Sequence, residues 1–458
     1  MDSTIYAIAT AQGGAIGIVR VSGPGAIAAV DGIFQGMSIP EAGNDSNAVN
    51  TSRRRTLVGA KPQSLLFGNI IDKNGAGESE NGEAQKGVAV VDQVLVSVFR
   101  APHSYTGQDC VEISCHGSSY ILGRVCKLLA NAGCRQAMGG EFTKRAYLNG
   151  KLDLVQAEAV ADLIASENAA QHRVALQQMR GGISRKLSEL RDQLLTMTSL
   201  MELELDFSEE DVEFAERSRL MELALGIKAE IERLSGSFAA GNAIKNGIPV
   251  AIIGAPNVGK STLLNALLGD DKAIVSDIQG TTRDIIEDTI TIDGYLFRFI
   301  DTAGIRHTDD TIEKLGIERS MKAVQRAQTI ILMRDAENDF PEIETRPDQT
   351  IIKVVNKSDA FQAINGTGMD WLQQQLLASV PRCQESDVLV TNIRHKEALD
   401  LALADIDRTI QAMNLDMTGD LISEDLRQCL HHLSDILGGQ ITPDEVLGNI
   451  FAHFCIGK

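Results

Sequence analysis

The sequence predicts an α/β plus α architecture in which a helical domain is interrupted by an inserted, doubly wound α/β domain, and three observations predict it. Short β-rich runs separated by turn clusters fill the first third of the chain. Apolar residues at 3-4-3-4 spacing mark helices on both sides of the middle. Between those helices an apolar strand enters a glycine-rich turn and then a helix-like segment. The expected boundaries are 1–150 for an N-terminal α/β domain, 151–245 and 383–458 for the two helical parts, and 246–382 for the insertion.

With 458 residues, 43% of them hydrophobic, the chain can bury a sizeable core. No stretch approaches the roughly 18 unbroken apolar residues of a membrane span. The opening MDSTIYAIATAQGG has neither the basic start nor the apolar run of a signal peptide. A cytoplasmic location with no membrane partner is expected. Seven cysteines, without a CxxC pair or zinc-ligand spacing, point to reduced thiols. The net charge of −19 repels nucleic acid over most of the surface, so an RNA partner must meet a local basic patch or one on a second protein.

In the first domain, residues 17–21, 88–99 and 110–114 read as strands, and SIPEAGNDSNAVNTSRRR and DKNGAGESENGEAQKG as surface loops. The basic run 53–55 reads as solvated loop. In the helical parts, Leu187, Leu190, Leu194, Met197 and Met201 share one stripe, as do Leu399, Leu403, Ile406, Ile410 and Met413, and Leu426, Cys429, Leu433 and Ile436. Each stripe reads as bundle core. Ser423 and Thr442 are expected helix N-caps, the latter with Pro443 at the first helical position and Glu445 completing a capping box.

The insertion carries the chemistry. Its strand, residues 248–253, leads into GAPNVGKS, the G-x-x-x-x-G-K-[ST] phosphate loop in its strand-loop-helix setting. Backbone N–H groups cradle the phosphates, Lys260 reaches the β and γ phosphates, and the Ser261 hydroxyl suits Mg²⁺. DTAG ends the strand YLFRFI, placing Asp301 for the magnesium shell and the Gly304 N–H for the γ phosphate. NKSD ends the strand TIIKVV, and Asp359 can accept from guanine N1–H and the 2-amino group, a donor pair that adenine lacks. The nucleotide expected is therefore GTP.

GAPNVGKS, GTTRD, DTAGIR and NKSD together resemble the bacterial GTPases that include Era, the Der/EngA type and the MnmE (TrmE) family of tRNA-modification GTPases. The flanks select the last. GAIGIVRVSG, SYTGQDCVEISCHG, GGEFTKRAYLNGKLDLVQAEAVADLI and the terminal FCIGK resemble MnmE, and the likeness covers nearly the whole chain. A ribosome-assembly GTPase would carry an RNA-binding module such as a KH domain after the G domain, and no GXXG loop stands in that setting.

The resemblance implies an N-terminal folate-binding and dimerisation domain and an inserted Ras-like P-loop G domain. It implies a GTP-hydrolysing enzyme that adds an aminomethyl or carboxymethylaminomethyl group to carbon 5 of the wobble uridine of certain tRNAs. The one-carbon source is 5-formyltetrahydrofolate or a related tetrahydrofolate. The partners are a second copy of the chain and an FAD-binding flavoprotein of the MnmG/GidA type, in a heterotetramer or larger, which brings FAD and NADH. G domains approach across a gap during hydrolysis.

Carried over residue by residue, the folate site is Arg20, Glu112, Lys151 and Lys458. The nucleotide site is Asn257, Val258, Gly259, Lys260, Ser261 and Thr262, then Ser276, Asp277, Ile278, Gln279, Gly280, Thr281 and Thr282 of the first switch. Asp301, Thr302, Ala303 and Gly304 follow, with Asn356, Lys357, Ser358 and Asp359 at the base. Mg²⁺ falls to Ser261 and Thr282. Ile305 stands where Ras-like proteins have the water-orienting glutamine. The resemblance supplies K⁺ instead, held by Asn257, Ser276, Ile278 and Thr281, with Glu313 orienting water through a second water. Without it, Glu313 is a solvated acid beside Asp309, Asp310 and Glu318. Arg283 and Arg306 are expected to tune switch contacts.

The terminal CIGK has three readings: a lipid box, a reactive thiol, or a packed tail reaching a site. Glycine and a final lysine after Cys455 make an atypical lipid box. The tail is expected to reach the folate site through Lys458, with Cys455 either a catalytic thiol or a small packed apolar residue. Where the family has a Ser-Ala guanine-supporting loop after its own strand, only AFQ separates Asp359 from Ala363, and Gln362 replaces the serine. Either the sheet is one strand short or another segment replaces the strand, and weaker or less selective guanine binding is expected. A GTP-dependent switch or scaffold with a folate-sensing domain is the alternative of a different class.

Overall fold

The computed structural model describes residues 3–11, 13–37, 56–73, 76–78, 84–86, 88–206, 217–269, 288–300, 321–359, 361–380, 388–415, 417–438 and 457. It divides into two compact units, Met1–Ala161 with Leu437–Lys458, and Asp162–Ile436.

The first unit is built on strands β1 (Ile5–Ile8), β2 (Ile16–Ser22), β3 (Phe34–Gly36), β4 (Ser64–Asp72), β5 (Ala76–Glu78), β6 (Ala84–Lys86), β7 (Ala89–Phe99), β8 (Cys110–His116) and β9 (Arg135–Gln136). β5 and β6 pair with each other, so part of the polar stretch expected to be loop forms a short hairpin. The other seven form one sheet in the order β3-β4-β7-β8-β2-β1-β9, antiparallel except where β9 joins β1. Side chains alternate across a pleated strand. Val19, Val21, Val94, Val96, Val98, Val111 and Ile113 therefore turn to one face, where they are buried with residues of α1 (Ala26–Asp31) and α2 (Ser119–Asn131).

The opposite face carries a different row, Ala7, Arg20, Glu112, Ser97 and Leu65, aligned across five strands by register. α3 (Glu141–Leu148) covers one end of this face, where Phe142 packs with Ile5 and Ala7. At the other end Leu65, Phe67 and Leu95 remain 59%, 48% and 42% exposed. α4 (Leu154–Ala165) follows.

The second unit begins with helices α5 (Ala169–Met179), α6 (Gly182–Asp206), α7 (Arg217–Gly236) and α8 (Phe238–Asn246). The stripe from Leu187 to Met201 lies on α6, and every member of it is buried. α5 starts where Asn168 accepts a hydrogen bond from the Gln171 N–H at 2.9 Å. The inserted sheet comprises β10 (Ile248–Gly254), β11 (Asp288–Ile292), β12 (Tyr295–Phe299), β13 (Thr329–Arg334) and β14 (Thr350–Val355), in the order β11-β12-β10-β13-β14. β11 is antiparallel to β12 through a two-residue turn, Asp293 and Gly294, both at positive φ, and the rest are parallel. α9 (Lys260–Leu268) and α10 (Met369–Ala378) pack one face through Leu263, Leu264, Leu267, Leu372 and Leu376, while Ala323, Val324 and Ala327 cover the other. Helices on both faces of a mostly parallel sheet make the insertion doubly wound.

The chain returns through residues 388–392 to α11 (Ile393–Asn414) and α12 (Gly419–Leu437). The two connectors of the insertion are clasped together. Gln178 Nε2 donates to Leu389 O at 2.9 Å and to Thr391 Oγ1 at 3.0 Å, and Ser237 Oγ accepts from the Val390 N–H at 3.0 Å. On the entry side Gln171 Nε2 donates to Lys245 O, and Lys245 pairs with Asp162 at 2.7 Å.

One helix-cap expectation is corrected. Ser423 is not a cap: α12 starts at Gly419 and buries Ser423 in its interior, because the apolar stripe already begins at Ile422. After Asp359, among the described residues β14 is the edge of the sheet, and the segment leading to α10 contributes only an isolated Gln362–Thr367 bridge. Thr442, Pro443 and Glu445, and the basic run 53–55, lie outside the described residues.

Candidate functional site

At the carboxyl end of β10 the chain turns through Asn257 at φ 63° and Gly259 at φ 97° before α9 begins at Lys260. A Cβ at Gly259 would stand 2.3 Å from Asn356 Nδ2, so both backbone and space demand glycine there. Lys260 sits in the first turn, with Nζ donating to Gly254 O and Ala255 O at 2.9 Å each. Burial pushes its ammonium below the ordinary lysine value. An anion at the helix N-terminus offsets that cost, since the orphan N–H groups and the helix dipole point the same way. Ser261 follows, half-buried in the first turn of α9, and its hydroxyl suits an oxygen ligand for a hard cation. Val258 is fully buried and Thr262 exposed.

The NKSD segment braces this loop from the next strands. Buried Asn356 donates from Nδ2 to Val258 O at 2.8 Å and accepts at Oδ1 from the Ala363 N–H at 3.0 Å. Lys357, at φ 58°, donates to Asn257 O at 3.1 Å. Ser358 Oγ donates to Val355 O at 2.8 Å and closes a turn with Phe361, leaving Asp359 exposed at the rim. The structure thus brings the loop residues 257–262 and the base residues 356–359 together. Ser276, Asp277, Ile278, Gln279, Gly280, Thr281, Thr282, Asp301, Thr302, Ala303, Gly304 and Glu313 lie outside the described residues, as do Arg283, Ile305 and Arg306.

On the face of the N-terminal sheet opposite α1 and α2, Arg20 Nε donates to Glu112 Oε1 at 2.9 Å, a pair that register places side by side on β2 and β8. Lys151 is drawn to the same region by the loop before β8. A Cβ at Gly107 would lie 3.2 Å from Lys151 Cγ, and Asn149 Nδ2 donates to Thr106 O at 2.7 Å. Lys458 and Cys455 lie outside the described residues, but Gly457 is described, and its carbonyl accepts from Arg20 Nη1 at 3.1 Å. Sequence reasoning missed Tyr105 and Phe142. Their ring centroids stand 5.6 and 5.7 Å from the Arg20 guanidinium carbon, and the Tyr105 hydroxyl hydrogen-bonds Thr143 Oγ1 at 2.8 Å. Both occur within the stretches SYTGQDCVEISCHG and GGEFTKRAYL, yet nothing in their spacing shows that two aromatic rings flank one arginine. The five described cysteines are free, and burial pushes the Cys110 thiol up to about 12 and that of Cys115 to about 11.

A phosphate loop at the carboxyl edge of a doubly wound sheet, braced by an NKSD asparagine, defines a P-loop GTPase. The chain belongs to the MnmE family: the GTP-binding protein TrmE N-terminus matches residues 4–151 and the MnmE helical domain matches residues 154–455. Among its relatives, the tRNA modification GTPase MnmE of Parabacteroides distasonis is 51% identical over 488 residues, covering all of both chains. That of Bacteroides fragilis is 50% identical over 492 residues, again covering both completely. That of Porphyromonas gingivalis is 44% identical and covers 99% of this chain and 98% of its own. A solved structure of Era from Aquifex aeolicus bound to GDP.AlF4⁻ is 26% identical, covers 34% of this chain and 65% of its own, and has a TM-score of 0.22.

Proposed function

We infer that this chain is a GTP-hydrolysing enzyme of tRNA modification whose target is carbon 5 of the wobble uridine. It adds an aminomethyl or carboxymethylaminomethyl group, with 5-formyltetrahydrofolate or a related tetrahydrofolate supplying the one-carbon unit when bound. The observation that carries the folate part is the Arg20–Glu112 pair on the sheet face opposite α1 and α2, with the Gly457 carbonyl accepting from Arg20. Arg20 meets Glu112 at Oε1, so Oε2 of the carboxylate can accept from the amino and ring N–H groups of a pterin. Lys151 and the C-terminal Lys458 suit the ligand's carboxylates.

For GTP, Lys260 neutralises the β and γ phosphates while Gly259 and its neighbours let the backbone N–H groups approach. Asn356 holds the loop in that shape, and Asp359 reads guanine. Ser261 with Thr282 suits Mg²⁺, and Asn257 with Ser276, Ile278 and Thr281 suits K⁺, a charge that offsets what develops between the phosphates. Glu313 orients water where Ile305 has no polar atom to do so. The edge position of β14 among the described residues and the engagement of the Ala363 N–H with Asn356 favour reduced guanine selectivity.

Leu65, Phe67 and Leu95 on the folate face support a homodimer formed through the N-terminal domains. The charge of −19 supports a division of labour in which an FAD-binding flavoprotein carries most of the tRNA-binding surface and brings FAD and NADH. No helix among the described residues is long and apolar enough to cross a membrane.

The test is mass spectrometry of wobble-uridine nucleosides from tRNA incubated with this protein, the flavoprotein, GTP, K⁺ and the folate donor, with Cys455→Ser alongside. Modification by the wild type, lost in the variant while GTP hydrolysis persists, supports the full reading with Cys455 in the chemistry. GTP hydrolysis without modification by the wild type overturns the folate-dependent role.

A further inference from the structure

The loop before β8, residues 104–109, has no regular secondary structure, yet each of its residues is tied down. Tyr105 shares a hydrogen bond of 2.8 Å with Thr143 Oγ1. The Thr106 carbonyl accepts from Asn149 Nδ2 at 2.7 Å, and Gln108 Oε1 accepts from Arg145 Nη1 at 3.0 Å. Gly107, at φ 75°, leaves room for Lys151, whose Cγ a Cβ there would meet at 3.2 Å. Residues 105–108 are therefore gripped one after another by a single stretch, residues 143–151, on and just after α3. The ends are fastened too: Ser104 Oγ donates to Gln108 O at 2.5 Å, and the Gly23 N–H donates to Asp109 O at 3.0 Å.

Arg145 has the most constrained place in this grip. It is buried on α3, its Nη2 donates to Glu141 Oε1 at 3.0 Å one turn earlier, and Nη1 is left for Gln108. A buried guanidinium is held only where its donors are met, and its planar fork fixes direction as well as distance. The same helix brings both rings to Arg20, Phe142 directly and Tyr105 through the hydroxyl of Thr143.

We propose that Arg145 is a positioning residue: with Thr143 and Asn149 it moulds the loop 104–109 on α3, and so sets how Tyr105 and Lys151 stand about the Arg20–Glu112 pair. The consequence for a ligand rests on folate binding at this face, but the moulding of the loop does not. A ligand then meets a wall that is ordered before it arrives, and its affinity is not reduced by the entropy of fixing a loop.

Two measurements on the full-length protein test this: hydrogen exchange of the peptide spanning residues 104–109, read by mass spectrometry, and equilibrium dialysis of 5-formyltetrahydrofolate. Gln108→Ala removes only the acceptor on the loop and leaves the Arg145–Glu141 pair intact. It is expected to speed exchange of the loop roughly tenfold and to weaken folate binding by a similar factor, the order set by one hydrogen bond to a charged group. Gln108→Glu returns an acceptor to the reach of Arg145, and both quantities should come back to within about threefold of wild type. Thr143→Val keeps the side chain's shape and loses the hydroxyl, so about a threefold change is expected from one neutral hydrogen bond. Unchanged exchange of the loop in both Gln108→Ala and Thr143→Val overturns the moulding. Faster exchange with undiminished folate affinity, or no recovery in Gln108→Glu, overturns the positioning role and leaves Arg145 a structural residue of α3. A wild type that does not bind the folate overturns the folate role of this face, and the exchange rates then decide by themselves whether Arg145 and its neighbours set the loop.

Discussion

The phosphate loop and the Arg20-bearing face of the N-terminal sheet are built by opposite means. The loop is eight consecutive residues whose backbone does the work, with Gly259 at a φ that side chains rarely adopt. The face is assembled from side chains on β2, on β8, in the loop before β8 and on α3, plus a carbonyl from the penultimate residue. A backbone-built anion site needs residues in a row, because successive N–H groups must converge on one point. A side-chain-built site needs only that the sheet bring its members into register, so its members can be any distance apart in sequence.

The largest effect separating the two regions is expected from Lys260→Ala, which removes the charge on the phosphates and should lower GTP hydrolysis roughly 10²- to 10³-fold. Equal folate affinity in that variant would show the regions to be independent sites; a parallel loss would break the comparison. Gly259→Ala comes next. Its Cβ meets Asn356 at 2.3 Å and its φ becomes strained, so GTP affinity should fall roughly tenfold to a hundredfold, read by titration with a fluorescent GTP analogue. On the other side, Glu112→Gln leaves shape intact but removes the charge, and 5-formyltetrahydrofolate should bind about tenfold more weakly by calorimetry. A full retention of affinity would remove Glu112 from the pterin site.

The smallest effect sharpens the picture of what supports the Arg20-bearing face of the N-terminal sheet. Glu141 opens α3 beside Arg135 and Arg145. Burial works against its ionisation, but hydrogen bonds from Arg135, the Met138 N–H and Arg145 outweigh that and hold its carboxyl at about 2, below the ordinary 4.5. A depressed carboxyl stabilises the fold above its unfolded value and loses that contribution as pH falls from 4.5 toward about 2. Glu141→Gln should therefore lower the melting temperature by about 2–4 °C at neutral pH, and the gap to wild type should close as the pH falls through that window. A gap independent of pH would mean that packing, not charge, is what Glu141 contributes.

Much of the fold was legible because it depends on local periodicity. The stripe from Leu187 to Met201 and that from Leu426 to Ile436 are buried as their spacing requires, and the strands at residues 17–21, 88–99 and 110–114 appear within a residue or two at each end. Ser423 misled because a serine before an acidic residue imitates a cap, while the apolar phase that starts at Ile422 decides where the helix begins. The hairpin of β5 and β6 escaped notice because its composition is that of a loop. In the candidate sites, the contiguous motifs announced the phosphate loop and the NKSD turn, but not that Asn356 would bridge Val258 to Ala363. That bond joins residues nearly a hundred positions apart through two neighbouring crossovers.

By itself, then, the amino-acid order determined the helix stripes, the β-rich first domain, the phosphate loop and the shortened segment after Asp359, since each is written in residues a few positions apart. Tertiary structure alone decided that Arg20 Nε bonds Glu112 Oε1, that two aromatic rings flank its guanidinium, and that the Gly457 carbonyl accepts from it. Those contacts follow from sheet register and from the path of the whole chain, and no local spacing encodes either.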